Sequence, residues 1–186
     1  LKKQVVIVAE IGKNFIQTEE ERSVSECLKN AKALVKAAKG AGADAVKFQT
    51  HTAEDEVMHR DFDSPHFKGM NRFAWVSRNE RCTPLDDFWR PLKAFCDSTG
   101  ITFFSTPMSR GAAKKLQQLA VPFWKVASSD ILDFPMLEFM ASTKKPIIIP
   151  TGMSELADVD QSVAFLNRRN ASFILMHAIS LYPYPA

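Results

Sequence analysis

The chain has 186 residues, 46% of them hydrophobic and 24% charged, which suits one folded core of ordinary size and excludes a disordered or fibrous chain. The net charge of +3 comes from dispersed cations, not from the basic stripe of a nucleic-acid binder. No apolar run approaches the ~18 residues needed to span a bilayer.

The short apolar run Val5–Ala9 predicts the first strand. Cys27, Leu28, Ala31, Leu34, Val35 and Ala38 then recur at helical spacing and predict a helix that stops at Gly42. Ala45–Phe48 predicts the second strand. The stretch from His51 to Thr83 reads as irregular and is too long for an ordinary connection, so it is expected to be a lid or a substrate-binding excursion. It carries Arg60, Arg72, Arg78 and Arg81 with the aromatics Phe62, Phe67, Phe73 and Trp75.

Thr83 is a candidate N-cap for a second helix that opens at Pro84, buries Leu85, Phe88, Trp89, Leu92, Phe95 and Cys96, and ends at Gly100. Ile101–Phe104 predicts the third strand, Ala112 to Leu119 the third helix, and Phe123–Val126 the fourth strand. Asp133 is expected to cap the fourth helix, which runs to about Ser142. Ile147–Ile149 follows as a strand, Ser154 as the cap of a fifth helix with Leu156, Val159, Val163 and Leu166 inward, and Phe173–Met176 as the sixth strand.

Six short strands, apolar on both faces and alternating with five helices, predict a parallel sheet covered by helices. Periodicity alone leaves a doubly wound sheet and a closed barrel both open. With seven glycines and no GxGxxG or GxxxxGK run, a glycine-rich phosphate loop is excluded. Cys27, Cys82 and Cys96 are odd in number and lack CxxC spacing, and they read as reduced thiols of a cytosolic protein.

Polar residues gather at the C-terminal ends of the strands. They are Glu10, Lys47 and Gln49, Ser105 and Thr106, Lys125 with Ser128, Ser129 and Asp130, Thr151 and Ser154, then His177, Ser180 and Tyr182. In a (β/α) barrel those ends share one face, where such enzymes place their chemistry. Lys47 and Lys125 lie inside apolar strands, where an unanswered charge is costly, and an anionic ligand would answer it. Two lysines with several hydroxyls suit a phosphate and a carboxylate on one small molecule.

The runs Ala9–Asn14, Gly42–Gln49, Phe104–Pro107, Lys125–Ser128, Thr151–Ser154 and Tyr182–Pro183 occur in that order. Together they resemble the N-terminal barrel of the sialic acid synthases, including the pseudaminic and legionaminic acid synthases. The resemblance implies a TIM-type (β/α) barrel over residues 1–186, lacking its last two βα units and the family's C-terminal antifreeze-like domain. It implies condensation of phosphoenolpyruvate with an N-acetylated amino sugar aldehyde, such as N-acetylmannosamine, in a cytoplasmic enzyme that is a homodimer when full length. By motif, Lys47, Thr106, Lys125 and Ser128 would hold phosphoenolpyruvate, and Gln49, Ser180 and Tyr182 would face the sugar. Glu10 joins Lys47 and Lys125 as a catalytic candidate, orienting water or a proton. Mn²⁺ or Mg²⁺ is the implied cofactor, with its ligands expected beyond Ala186 and none within this chain.

The sequence departs from the family's pattern in three places. Asn14-Phe15 stands where Asn-His is usual, Ser129 where Gly is usual, and Pro150 where Ser precedes Thr-Gly-Met. Two rival readings stay open: a class I aldolase using Lys125 as its Schiff-base lysine, and a degenerate, non-catalytic barrel that binds a sugar acid.

Overall fold

The computed structural model describes residues 5–16, 20–56 and 71–181. The chain divides into two compact units, Leu1–Val121 and Pro122–Ala186.

The first unit carries strands β1 (Val8–Gly12), β2 (Ala45–Thr50) and β3 (Thr102–Pro107), parallel and in the order β1-β2-β3. Helix α1 (Val24–Gly40) crosses from β1 to β2. Its start is fixed by a capping box, in which Ser23 accepts from the Glu26 amide and Glu26 accepts from the Ser23 amide. Cys27, Ala31 and Val35, four residues apart, form its buried stripe. Between β2 and β3 lie α2 (Ala53–Glu56), α3 (Arg72–Arg81) and α4 (Arg90–Ser98), and α5 (Arg110–Gln117) follows β3.

The core of this unit is aromatic. Phe48 packs on Phe103 with ring centroids 5.6 Å apart and on Trp89 at 6.1 Å, while Phe15 packs on Phe88 at 5.0 Å. All five rings are buried. Tilted and edge-on pairs of this kind add to the stabilisation from burial alone.

The second unit carries β4 (Trp124–Lys125), β5 (Ile147–Pro150) and β6 (Phe173–Met176), parallel and in the order β4-β5-β6. Helices α6 (Phe134–Ser142) and α7 (Leu156–Asn167) connect them. Asp133 caps α6 as expected, accepting from the Met136 amide. The core is Trp124, Met136, Leu137, Met140, Ile147, Ile149 and Leu166, with the Trp124 indole N–H donating to Thr143 at 2.8 Å.

Several boundaries differ from the sequence reading. The first strand is Val8–Gly12 rather than Val5–Ala9, because pairing with β2 begins at Val8 opposite Ala45. The stretch His51–Thr83 is not irregular throughout, since it contains α2 and α3; Arg60, Phe62 and Phe67 lie outside the described residues. Asn71 supplies the N-cap of α3 that periodicity missed, accepting from the Ala74 amide.

Thr83 does not cap the next helix. Its hydroxyl turns back to the Asn79 carbonyl at 2.8 Å, and Pro84 takes the N-cap position ahead of a π-helical turn, Leu85–Trp89. Ser154 is likewise not the cap of α7, because Glu155 forms a capping box with Asp158. Leu156, at the exposed first turn of α7, is not inward. Val6, Val8, Ile174 and Met176 are exposed too: among the described residues β1 pairs only with β2 and β6 only with β5, so neither end strand has a neighbour on its other side.

The six predicted strands are all present, and among the described residues they are joined by more helical segments than the five expected. Phe48 sits at the centre of the aromatic core, so Phe48→Ala is expected to cost roughly 3–5 kcal/mol. Urea unfolding of the full-length protein, followed by Trp fluorescence, measures it.

Candidate active site

Alternation along β2 separates two faces. Val46, Phe48 and Thr50 are buried on the helix side, whereas Lys47 and Gln49 are only half-buried on the other. The register sets Glu10 opposite Lys47 and Lys47 opposite Phe104, with Gln49 opposite Thr106. Glu10, Lys47, Gln49 and Thr106 therefore line one face of the β1-β2-β3 sheet at its C-terminal end. The expectation that the strands are apolar on both faces does not hold for β2.

Lys47 Nζ meets Glu10 Oε2 at 2.7 Å, with the lysine side chain 12% exposed and the glutamate 53%. The partly wet carboxylate partner removes the cost of leaving the ammonium unanswered. Between Glu10 and Gly12 the register shifts, and Gly12 takes φ +55°, a conformation that favours glycine. A Cβ there would lie 3.3 Å from Glu10 Oε1 and 3.9 Å from the Gln49 side chain, so the missing side chain also lets both polar groups fold over the strand end. Thr106 is buried, and its hydroxyl has no hydrogen-bond partner. A buried hydroxyl in that state is a donor waiting for an acceptor.

In the second unit Lys125 is buried, and its Nζ donates to the Val126 carbonyl at 2.7 Å. Ser128 and Ser180 converge on Gly152. A Cβ on Gly152 would lie 2.7 Å from Ser180 Oγ and 3.1 Å from Ser128 Oγ. The next residue, Met153, is held at φ +59° and is exposed. Backbone in that region without glycine is uncommon and concentrates at functional turns. His177 is exposed on the chain after β6. Tyr182 lies outside the described residues.

A second polar cluster, in the first unit, escaped the sequence reading. His51 and Glu56 are both buried and meet through Nδ1 and Oε2 at 2.6 Å, and Arg72 reaches the other Glu56 oxygen at 3.3 Å. His51 Nε2 has no partner, and burial pushes the His51 pKa below its ordinary value. Lys13 Nζ rests 3.5 Å from the centroid of the Trp75 ring, and the His51 ring stands edge-on to the same indole. Burial, helped by Arg72 and Arg78 and opposed by Glu56, lowers the Lys13 pKa to about 7. Periodicity gave no hint of this, because Lys13 is in a turn and Trp75 and Arg78 lie in the stretch read as irregular.

A model of the NeuB family matches residues 34–186. N,N'-diacetyllegionaminic acid synthase of Legionella pneumophila is 33% identical over 165 residues, covering 84% of this chain and 46% of that protein. N-acetylneuraminate-9-phosphate synthase of Homo sapiens is 29% identical over 178 residues, covering 95% and 47%. A crystal structure of N-acetylneuraminic acid (sialic acid) synthetase from Leptospira borgpetersenii superposes with a TM-score of 0.75 at 26% identity, covering 97% of this chain and 56% of that one. The fold class is the TIM-type (β/α) barrel. The chain spans about half the length of the curated relatives it matches.

Two outcomes follow from this geometry. Gly152→Ala must push the Ser128 and Ser180 hydroxyls aside, so it is expected to destabilise the fold by about 1–3 kcal/mol, the usual cost of overpacking. An unchanged urea-unfolding midpoint would rule that out. For Lys13, a folded-state pKa near 7 against an ordinary 10.5 means the unfolded chain binds more protons between those values. Stability should therefore rise with pH across that window, with the full penalty present below about pH 7. Lys13→Met is expected to raise the melting temperature most at pH 6 and least near pH 10; parallel melting curves at both pH values would contradict the assignment.

Proposed function

We infer that this chain, which belongs to the NeuB family, is part of a sialic acid synthase-type enzyme that forms a nonulosonic acid by condensation. The substrates in this reading are phosphoenolpyruvate and an N-acetylated amino sugar aldehyde such as N-acetylmannosamine. The observation that carries it is Lys47, a strand-end cation in the family-matched segment that shares one sheet face with Gln49 and the buried, unpartnered Thr106 hydroxyl.

On this reading Lys47, Thr106, Lys125 and Ser128 hold the phosphate and carboxylate of phosphoenolpyruvate, while Gln49, Ser180 and Tyr182 face the sugar. The enol carbon of phosphoenolpyruvate attacks the aldehyde carbon, forming the new C–C bond and leaving electron deficiency at the carbon that bears the phosphate. Water adds there, and the C–O bond to phosphate breaks as the keto group forms. The lysines stabilise the anionic ends throughout. The Thr106 hydroxyl, unpartnered and buried, supplies a directed donor. Glu10 keeps Lys47 oriented and can take a proton from the attacking water.

A divalent metal, Mn²⁺ or Mg²⁺, belongs to this reading as cofactor. Among the described residues no three His, Cys, Asp or Glu side chains converge to hold one. Glu10, the carboxylate at the β1 end, is already committed to Lys47. No step is therefore assigned to the metal. Among the described residues no helix is long and apolar enough to cross a membrane. We take the full-length enzyme to be cytoplasmic and homodimeric.

Calorimetry on the full-length protein tests the assignment. Lys47→Ala and Lys125→Ala should each weaken phosphoenolpyruvate binding by roughly 1.5–3 kcal/mol, the worth of a charge-assisted hydrogen bond. Unchanged affinity in both variants would sink it. Borohydride trapping of pyruvate on Lys125 would replace it with Schiff-base chemistry.

A further inference from the structure

Helix α1 is one-sided in charge. It carries the lysines Lys29, Lys32, Lys36 and Lys39 and a single acidic residue, Glu26. Glu26 is taken up by Ser23 and Arg22 at the helix start, and Lys39 donates to the Gly100 carbonyl. Lys29, Lys32 and Lys36 follow at spacings of three and four, so they stand in one row over about 10 Å of helix. Among the described residues no carboxylate forms an ion pair with any of these three. Like charges at such spacings repel one another, a cost that an anion laid against the row removes. The row borders a cavity of about 490 Å³ between α1 and α4, lined also by Leu28 and Ala33 and by Phe95 of α4. Lys32 Nζ lies 5.4 Å and Lys36 Nζ 5.8 Å from the Phe95 ring centroid. Contact with the ring face favours the charged ammonium and gathers both side chains over one ring.

We propose that this cavity binds a small polyphosphate anion, a ligand with two or more phosphate groups in a chain. Its volume is that of a small-molecule site. Two of its ammonium groups converge on one ring, so the positive charge is concentrated in one place. An acidic peptide, whose charges are spread along an extended chain, would need a longer groove. Lysine meets phosphate as a point charge, and a row of three suits successive phosphate groups better than a single one. Phe95, Leu28 and Ala33 keep water from part of the cavity wall, which strengthens the ionic contacts made there. The strand-end residues Glu10, Lys47, Gln49 and Thr106 do not line this cavity, so the inference stands whatever reaction the full enzyme performs. Helix α1 joins the strand of Glu10 to the strand of Lys47, so a ligand held here would rest on the element that connects that pair.

Calorimetry on the full-length protein, with inorganic tripolyphosphate as the probe, tests the proposal. Lys32→Gln combined with Lys36→Gln should weaken binding at least about tenfold, the loss of charge-assisted contacts. Phe95→Leu keeps the wall apolar but removes the ring face, and should weaken it about threefold. Two controls should leave the affinity unchanged: Lys114→Gln with Lys144→Gln, which removes the same charge at exposed positions elsewhere, and Lys47→Ala at the strand end. Orthophosphate should bind about tenfold more weakly than tripolyphosphate, or worse. No binding, or equal affinity in the Lys32→Gln/Lys36→Gln protein, would overturn the proposal. So would an equal loss in the Lys114→Gln/Lys144→Gln protein, which would show an effect of net charge alone. Loss in Lys47→Ala would put the anion at the strand ends instead, and a glutamate-rich peptide binding more tightly than tripolyphosphate would replace the compact anion with an acidic partner.

Discussion

An ammonium group inside a parallel strand has to be answered by an acceptor, and the Glu10–Lys47 pair at 2.7 Å is the answer on which the polar strand ends of the first unit depend. Burying either ion alone would be penalised by more than an ordinary hydrogen bond returns. The parallel register puts the two residues directly opposite one another, so the pair forms across neighbouring strands with no loop excursion. The irregularity at Gly12 follows from it. The strand turns just past Glu10 at φ +55°, a conformation that favours glycine, and the absent Cβ leaves the Glu10 carboxylate free of a tight contact as it leans over that turn. Local backbone, ion pair and site geometry are thus one constraint seen at three scales.

The second unit solves the same problem by different means. It has no strand carboxylate beside its lysine; Lys125 is satisfied in part by the carbonyl of the following residue. Its hydroxyls are brought together by close approach to Gly152, and the turn continues through Met153 in a left-handed conformation. The other non-glycine residues with positive φ, Ala120, Lys144 and Asn170, come shortly after α5, α6 and α7, where helix ends commonly adopt it. Met153 follows a strand, so its strain is not a helix-capping device. Held strain of this kind is tolerated where neighbouring packing over-determines the backbone, and here it keeps a polar turn in one shape.

Much of this was legible in the sequence, for definable reasons. Strands were found because β-branched and aromatic runs are bounded by glycine and polar residues, and the C-terminal ends stood out because lysine inside such a run is anomalous. Helix α3 was missed because two of its three buried residues are polar: Arg78 and Asn79 are buried beside Val76, so no apolar stripe announces it. Caps were misassigned at Thr83 and Ser154 because a hydroxyl next to a helix can equally bond backwards, to Asn79 and Gly152, and local sequence does not say which. The Lys13 cluster was invisible for a deeper reason. It joins a turn, a strand end and two helices, with members running from Lys13 to Arg78, so no single window of sequence holds them all.

The three departures from the family pattern can be weighed by where they fall. Phe15 is fully buried and stacks against Phe48 and Phe88, in the aromatic core on the helix side of the sheet. A histidine there would need a partner for each ring nitrogen, so phenylalanine is the better fit to this core, and the change bears on packing. Ser129 is exposed and bonds to the neighbouring Asp130 carboxylate at 2.9 Å, so its side chain is accommodated in the turn without disturbing Ser128. Pro150 ends β5 opposite Met176, and the ladder continues past it through the Thr151 amide to the Met176 carbonyl at 3.0 Å. Proline there costs the strand little, but it offers neither a hydroxyl nor an amide proton to an anion. Of the three changes, only Pro150 subtracts a donor at a strand end. Ser128, Thr151 and the Lys125 ammonium remain in that unit as groups able to meet an anion, so the loss weakens the donor set without abolishing it.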